Sequence, residues 1–165
     1  MFFTAVTLGL LASFVPSNGQ EFNLNNYCDK DVWFWDVGGL TSAPTLIPVN
    51  DYQQVYLDPD PVTKGKDIFV SFSNTTDISL PTLHISYDVD GDWQEEGHVL
   101  WYAMANINGV PFKGHRVRID GPSCPEVLWK DGEGKLTCIS LSGDSGVKNC
   151  PDAQYMDLRL CVENP

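Results

Sequence analysis

The sequence predicts an all-β fold, an antiparallel sandwich stapled by disulfides. Three observations carry this. Short runs of residues alternate apolar and polar side chains, which is the period of a half-buried strand. Turn-forming pairs punctuate them, at Gly38-Gly39, Asp60-Pro61, Asp90-Gly91 and Asn108-Gly109, and Gly132-Glu133-Gly134 does the same. Five cysteines (Cys28, Cys124, Cys138, Cys150 and Cys161) follow a segment that reads as a secretory leader, and cysteines in that setting form a disulfide framework.

Taken in order, residues 31–37 form the first run, with Val32 and Phe34 on one side and Trp33 and Trp35 on the other. Residues 52–57 follow a Pro-Val-Asn-Asp turn. Residues 67–72 alternate with Ile68, Val70 and Phe72 on one face. Residues 82–89 set Leu83, Ile85 and Tyr87 against His84, Ser86 and Asp88. Residues 98–104 are a second aromatic run, and 115–119 place Val117 and Ile119 opposite Arg116 and Arg118. Shorter runs lie at 126–129 and 136–140. Residues 155–162 close the chain with Met156, Leu158, Leu160 and Val162 on one face. Many short strands between turns mean a sandwich or barrel. No internal repeat or linker interrupts them, so one domain is expected.

Residues Met1 to Val15 are apolar or small and uncharged, and Pro16-Ser17-Asn18-Gly19 supplies small residues before a cut. Residues 1–19 are thus a predicted signal peptide, and 20–165 the mature domain. No later stretch of 18 apolar residues exists, so no membrane insertion is expected. The net charge of −12 argues against nucleic acid as a partner, because phosphate recognition needs clustered Lys and Arg.

Cys28 precedes the first run and Cys161 ends the last, so a bridge between them would tie the termini. Five cysteines allow at most two bridges within the chain. Cys124–Cys150 with Cys138 free is the expected second bridge, and Cys124–Cys138 with Cys150 free is its alternative. No pair has zinc-ligand spacing. Asn74-Thr75-Thr76 is an N-glycosylation acceptor in a polar stretch.

The densest acidic segment runs from Asp88 to Glu96. Its alternative reading is a calcium site on Asp88, Asp90 and Asp92. An EF-hand loop is excluded by Trp93 at its sixth position and Val99 at its twelfth. Asp90-Gly91 also suits a solvated hairpin turn. Trp93 among acids, with Asp92 and Glu95 beside it, is a candidate carbohydrate contact. Trp33 and Trp35, on one side of one strand, form a candidate stacking platform. Paired carboxylates could also hydrolyse a glycoside. No Gly-x-Ser-x-Gly elbow marks a serine hydrolase. Gln20 at the mature start excludes a copper site built on an N-terminal histidine. No cofactor is expected.

Asn25-Asn26-Tyr27-Cys28, followed by Val32-x-Phe34-x-x-Val37-Gly38-Gly39, resembles the opening of fungal thaumatin-like secreted proteins of the yeast-phase-specific, antigenic group. The resemblance continues through Pro44-x-Leu46-Ile47-Pro48, Tyr52-x-x-x-Tyr56 and Leu100-Trp101-Tyr102. It extends to Asn108-Gly109-x-Pro111-Phe112-x-Gly114-His115, Ser123-Cys124-Pro125 and Leu158-x-Leu160-Cys161. It implies a thaumatin-like antiparallel β-sandwich with the first and last cysteines paired, secretion, and association with the fungal wall or surface. The family carries an Asp just after the Trp-Tyr pair. This sequence has Ala103 there, which weakens an acidic-cleft hydrolysis.

The leading expectation is a monomeric, non-catalytic secreted protein that binds a wall polysaccharide (β-glucan or chitin) or a host surface protein. A weak β-1,3-glucan hydrolase and a secreted effector aimed at a host protein are the alternatives.

Overall fold

The computed structural model describes residues 21–57, 59–91, 97–134 and 146–162. The predicted leader, the run at 136–140 and Cys138 lie outside the described residues. Among those residues every regular element is a strand, and the strands form two sheets.

The five-stranded sheet has the order β4-β1-β11-β8-β9. It contains β1 (Glu21–Asn26), β4 (Asp51–Tyr56), β8 (Arg116–Asp120), β9 (Val127–Trp129) and β11 (Tyr155–Val162). β1 and β11 pair in parallel, and the other neighbours are antiparallel. The six-stranded sheet has the order β10-β7-β6-β5-β2-β3. It contains β2 (Val32–Val37), β3 (Thr45–Ile47), β5 (Lys66–Ser71), β6 (Thr82–Asp90), β7 (Val99–Ile107) and β10 (Lys148–Pro151). All of its pairs are antiparallel.

Alternation decides what each strand buries. Phe22, Leu24, Val117, Ile119, Met156, Leu158 and Leu160 point inward from the first sheet. Phe34, Ile68, Val70, Leu83, Ile85, Tyr87, Leu100, Tyr102 and Met104 meet them from the second. The inward tyrosine Tyr102 donates its hydroxyl to the Pro125 carbonyl. Burial pushes the Tyr102 phenol up to about 12, so it stays a donor. The opposite face of the five-stranded sheet is polar. There Arg118 pairs with Asp120 at 3.0 Å and Arg159 with Asp157 at 2.9 Å.

Two disulfides complete the frame. Cys28–Cys161 joins the end of β1 to β11, its parallel neighbour, with Cα atoms 4.9 Å apart. A bulge makes this reachable. Leu160 pairs with Val117 and Val162 with Arg116, so Cys161 is the extra residue, and its φ is 57°. Cys124–Cys150 ties the β8–β9 connection of one sheet to β10 of the other. Of the two pairings open to Cys124, the structure has this one.

Asn26 is the polar exception among the inward positions of β1, with no exposed surface. Its side-chain amide donates to the carbonyls of Lys30 (2.9 Å), Ile47 (3.0 Å) and Pro48 (3.2 Å). Its Oδ1 accepts the Cys28 N–H at 2.9 Å. One residue thus holds the β1 exit, the β3 exit and the approach to the first disulfide.

Candidate functional site

The outward residues of the six-stranded sheet form rows across the strands. One row runs Trp35, Phe69, His84, Ala105 and the next Val37, Asp67, Ser86, Ala103. Beyond them Asp88 faces Trp101. The second row, with Asp88 and Trp101, lines a cleft of about 450 Å³. Ala103 has only a methyl group, so the middle of β7 contributes almost no bulk. Val147 closes one side, and Gly38, Thr63 and Gly65 form the opposite wall.

Asp60 holds that wall. It is 6 % exposed, and its carboxylate accepts N–H groups from Gly39 (2.7 Å), Val62 (2.9 Å) and Thr63 (2.8 Å). The approach is close enough that a Cβ on Gly38 would stand 2.8 Å from Asp60 Oδ2, so position 38 tolerates little beyond glycine. The N–H donors of Thr63, Gly39 and Val62 hold the Asp60 carboxyl well below the usual carboxylate range. A depressed folded pKa gives a definite sign. The carboxylate's contribution is fully present above the unfolded value of about 3.9 and is lost as pH falls through the lower folded value. The wall therefore keeps its latch in mildly acidic media. By NMR titration, the Gly39 and Thr63 amide protons should hold their shifts through pH 4 and move only in stronger acid. A midpoint near 4 would contradict the latch.

The aromatic row backs the cleft. Trp35 stacks on Phe69 at 5.7 Å, and Phe69 stacks on His84 at 4.7 Å. His84 Nε2 donates to Asp67 Oδ1 at 2.8 Å, and Ser86 Oγ lies 3.1 Å from the same nitrogen. Burial pushes the Asp67 carboxyl up, but hydrogen bonds from His84 and Ser86 and the His84 charge outweigh it. The net direction is down. Asp67 is therefore held ionised, as an acceptor.

Asp67, His84 and Ser86 are the residue types of a serine hydrolase, but not its geometry. A triad holds the acid on one histidine nitrogen and the nucleophile on the other. Here both face Nε2. A glycosidase needs a carboxyl that keeps its proton for the leaving group. Asp36 is an acid that burial pushes up, with Lys66 opposing, and it is not among the cleft residues.

Trp35 is 1 % exposed and its ring is used in stacking, so a sugar platform on Trp33 and Trp35 is corrected to packing for Trp35. Trp33 is half-buried and outside the cleft lining. Asp88 is in the cleft. Asp88 and Asp90 are both exposed on β6, and among the described residues no three metal-ligating side chains come together. Asp92, Trp93, Glu95 and Glu96 lie outside the described residues. Asn74 is exposed in the β5–β6 connection. Trp101, 40 % exposed, is the cleft's indole. The available signal for it was period-2 alternation, which sets Trp101 on one face with Ala103 and Ala105, away from the inward Leu100, Tyr102 and Met104.

Comparison with known proteins places this architecture. The family model described as Blastomyces yeast-phase-specific protein matches residues 13–162. An antigenic thaumatin-like protein of Arthroderma benhamiae is 25 % identical over 166 residues, spanning 95 % of this chain and 81 % of the relative. Among solved structures, the protein elicitor MoHrip2 from Magnaporthe oryzae superposes with a TM-score of 0.65 at 19 % identity. That match covers 87 % of this chain and 99 % of the elicitor. The thaumatin-like xylanase inhibitor TLXI gives a TM-score of 0.52 at 13 % identity, covering 86 % and 99 %.

Proposed function

Given that the chain belongs to the Blastomyces yeast-phase-specific protein family, we propose that it is a secreted, non-catalytic protein that holds a wall polysaccharide, β-glucan or chitin, in the outer cleft of its six-stranded sheet. The observation that carries this is the pairing of one exposed indole with fixed acceptors. Trp101 presents a ring for the apolar face of a sugar, and Asp88, Asp67 and Ser86 stand beside it for the hydroxyls. The ionised Asp67 and the methyl group of Ala103 support binding without turnover, because neither supplies a proton to a leaving group. The leader-like residues 1–19 support the secreted part of this reading.

The test mixes the secreted protein with insoluble β-glucan, chitin and cellulose and assays sugar release in the same tubes. Retention on β-glucan or chitin without release is the expected result. Release of reducing ends would show hydrolysis and overturn the non-catalytic reading.

A second reading, a host surface protein as partner, has its own observation. Tyr52, Tyr56 and Tyr155 are 57, 51 and 41 % exposed on the outer face of the five-stranded sheet. Tyrosine is enriched where proteins meet. One structural neighbour is by name an inhibitor of a xylanase, which fits a protein target.

A further inference from the structure

A second concavity lies at the other end of the same strands. It is a groove of about 360 Å³ lined by Phe72, Ser73, Leu80, Pro81, Val110 and Pro111. Its floor is built. The Phe72 ring packs 5.0 Å from Phe112, which is fully buried. Gly109 has a φ of 131°, and a Cβ there would stand 2.9 Å from Pro81 Cγ, so only glycine lets the β7–β8 turn approach the groove wall. The loop beside it is tied by its own hydrogen bonds. Ser71 Oγ donates to the Pro81 carbonyl at 3.1 Å, Thr75 Oγ1 accepts the Asp77 N–H at 3.2 Å, and Asp77 Oδ1 accepts the Ser79 N–H at 2.9 Å. Within the lining, Leu80 is 39 % exposed.

Asn74 of the Asn74-Thr75-Thr76 acceptor is exposed one residue beyond Ser73, at the lip of this groove, and two residues after Phe72. We propose that Asn74 carries an N-linked glycan and that its first N-acetylglucosamine lies in the groove against Phe72, Leu80 and Pro81. The occupant is part of the mature molecule, attached where the groove begins. A pyranose ring has an apolar C–H face suited to an aromatic and aliphatic floor, while its hydroxyls stay in water. Covering the groove would also remove an exposed apolar patch from a secreted monomer.

The covalent step is transfer from a lipid-diphosphate-linked oligosaccharide by the secretory pathway's transferase. The Asn74 side-chain nitrogen attacks the anomeric carbon. The bond from that carbon to the phosphate oxygen breaks, an N-glycosidic bond forms, and the amide loses one proton as the lipid diphosphate leaves. The inference rests on secretion and not on the cleft.

The full chain, secreted from a eukaryotic host, should carry a glycan at Asn74 by peptide mass. Trimming the glycan to one sugar should leave the thermal midpoint nearly unchanged. Complete removal should lower it by about 2–4 °C. Leu80→Ser, at a partly exposed position, and Phe72→Ser should each abolish that difference. A secreted chain unmodified at Asn74 would overturn the proposal, and so would an undiminished difference in Leu80→Ser. Dimerisation of the glycan-free chain that Leu80→Ser prevents would assign the groove to a second copy instead.

Discussion

Replacing Asn26 by Asp should cost about 3 kcal/mol or more of stability at neutral pH. The two side chains have nearly the same shape, so packing is preserved and the chemistry alone changes. The Cys28 N–H keeps its acceptor. The carbonyls of Lys30, Ile47 and Pro48 lose their donor and face a carboxylate instead. Those carbonyls and the missing water push the new carboxyl's pKa up in the folded state. A raised folded pKa gives stability below the unfolded value of about 3.9 that is lost as pH rises. The variant should therefore lie closest to wild type near pH 3 and fall away toward pH 7. Urea unfolding at both pH values checks this, and equal losses at both would show that the amide's donors are not what matters.

The second large effect belongs to the first disulfide. Cys28 and Cys161 are 133 residues apart, so their bond restrains almost the whole described chain in the unfolded state. The chain-entropy model gives roughly 5 kcal/mol for a loop of that length and roughly 3.5 kcal/mol for the 26-residue separation of Cys124–Cys150. Native strain and residual unfolded structure reduce both. The Cys28→Ser/Cys161→Ser pair should still lose more stability than the Cys124→Ser/Cys150→Ser pair in denaturant unfolding. The reverse order would show that stapling the two sheets together outweighs closing the long loop.

Much of the fold was legible because alternation reports which side of a strand each residue faces. The run at 155–162 matches β11, and 82–89 and 52–57 match β6 and β4 to within one residue at either end. β1 was missed because its third inward position is Asn26, which breaks the apolar count. β10 was missed because Lys148-Asn149-Cys150-Pro151 has no alternating apolar face, and its proline suits an edge strand. β3 is only three residues long.

The site was less legible for a related reason. Alternation correctly put Trp33 and Trp35 on one side, but it does not say what covers that side. Trp35 proved to be packed and Trp101 open. Asp67 meets His84 and Ser86 only through the register of β5 against β6, and a single sequence does not carry register across a ten-residue connection. Ala103 was legible as the place of the family's missing carboxylate, and the sheet adds that it stands opposite Ser86, in the middle of the cleft floor.

Retention on the insoluble polymers separates a polysaccharide held in that cleft from one held elsewhere when three proteins are compared. Wild type should be retained on β-glucan or chitin, Trp101→Ala about tenfold more weakly, as expected for losing one stacked ring. Ala103→Trp, which fills the cleft from the outer face of β7 without touching the core, should not be retained. Retention of Ala103→Trp equal to wild type would place binding elsewhere on the molecule.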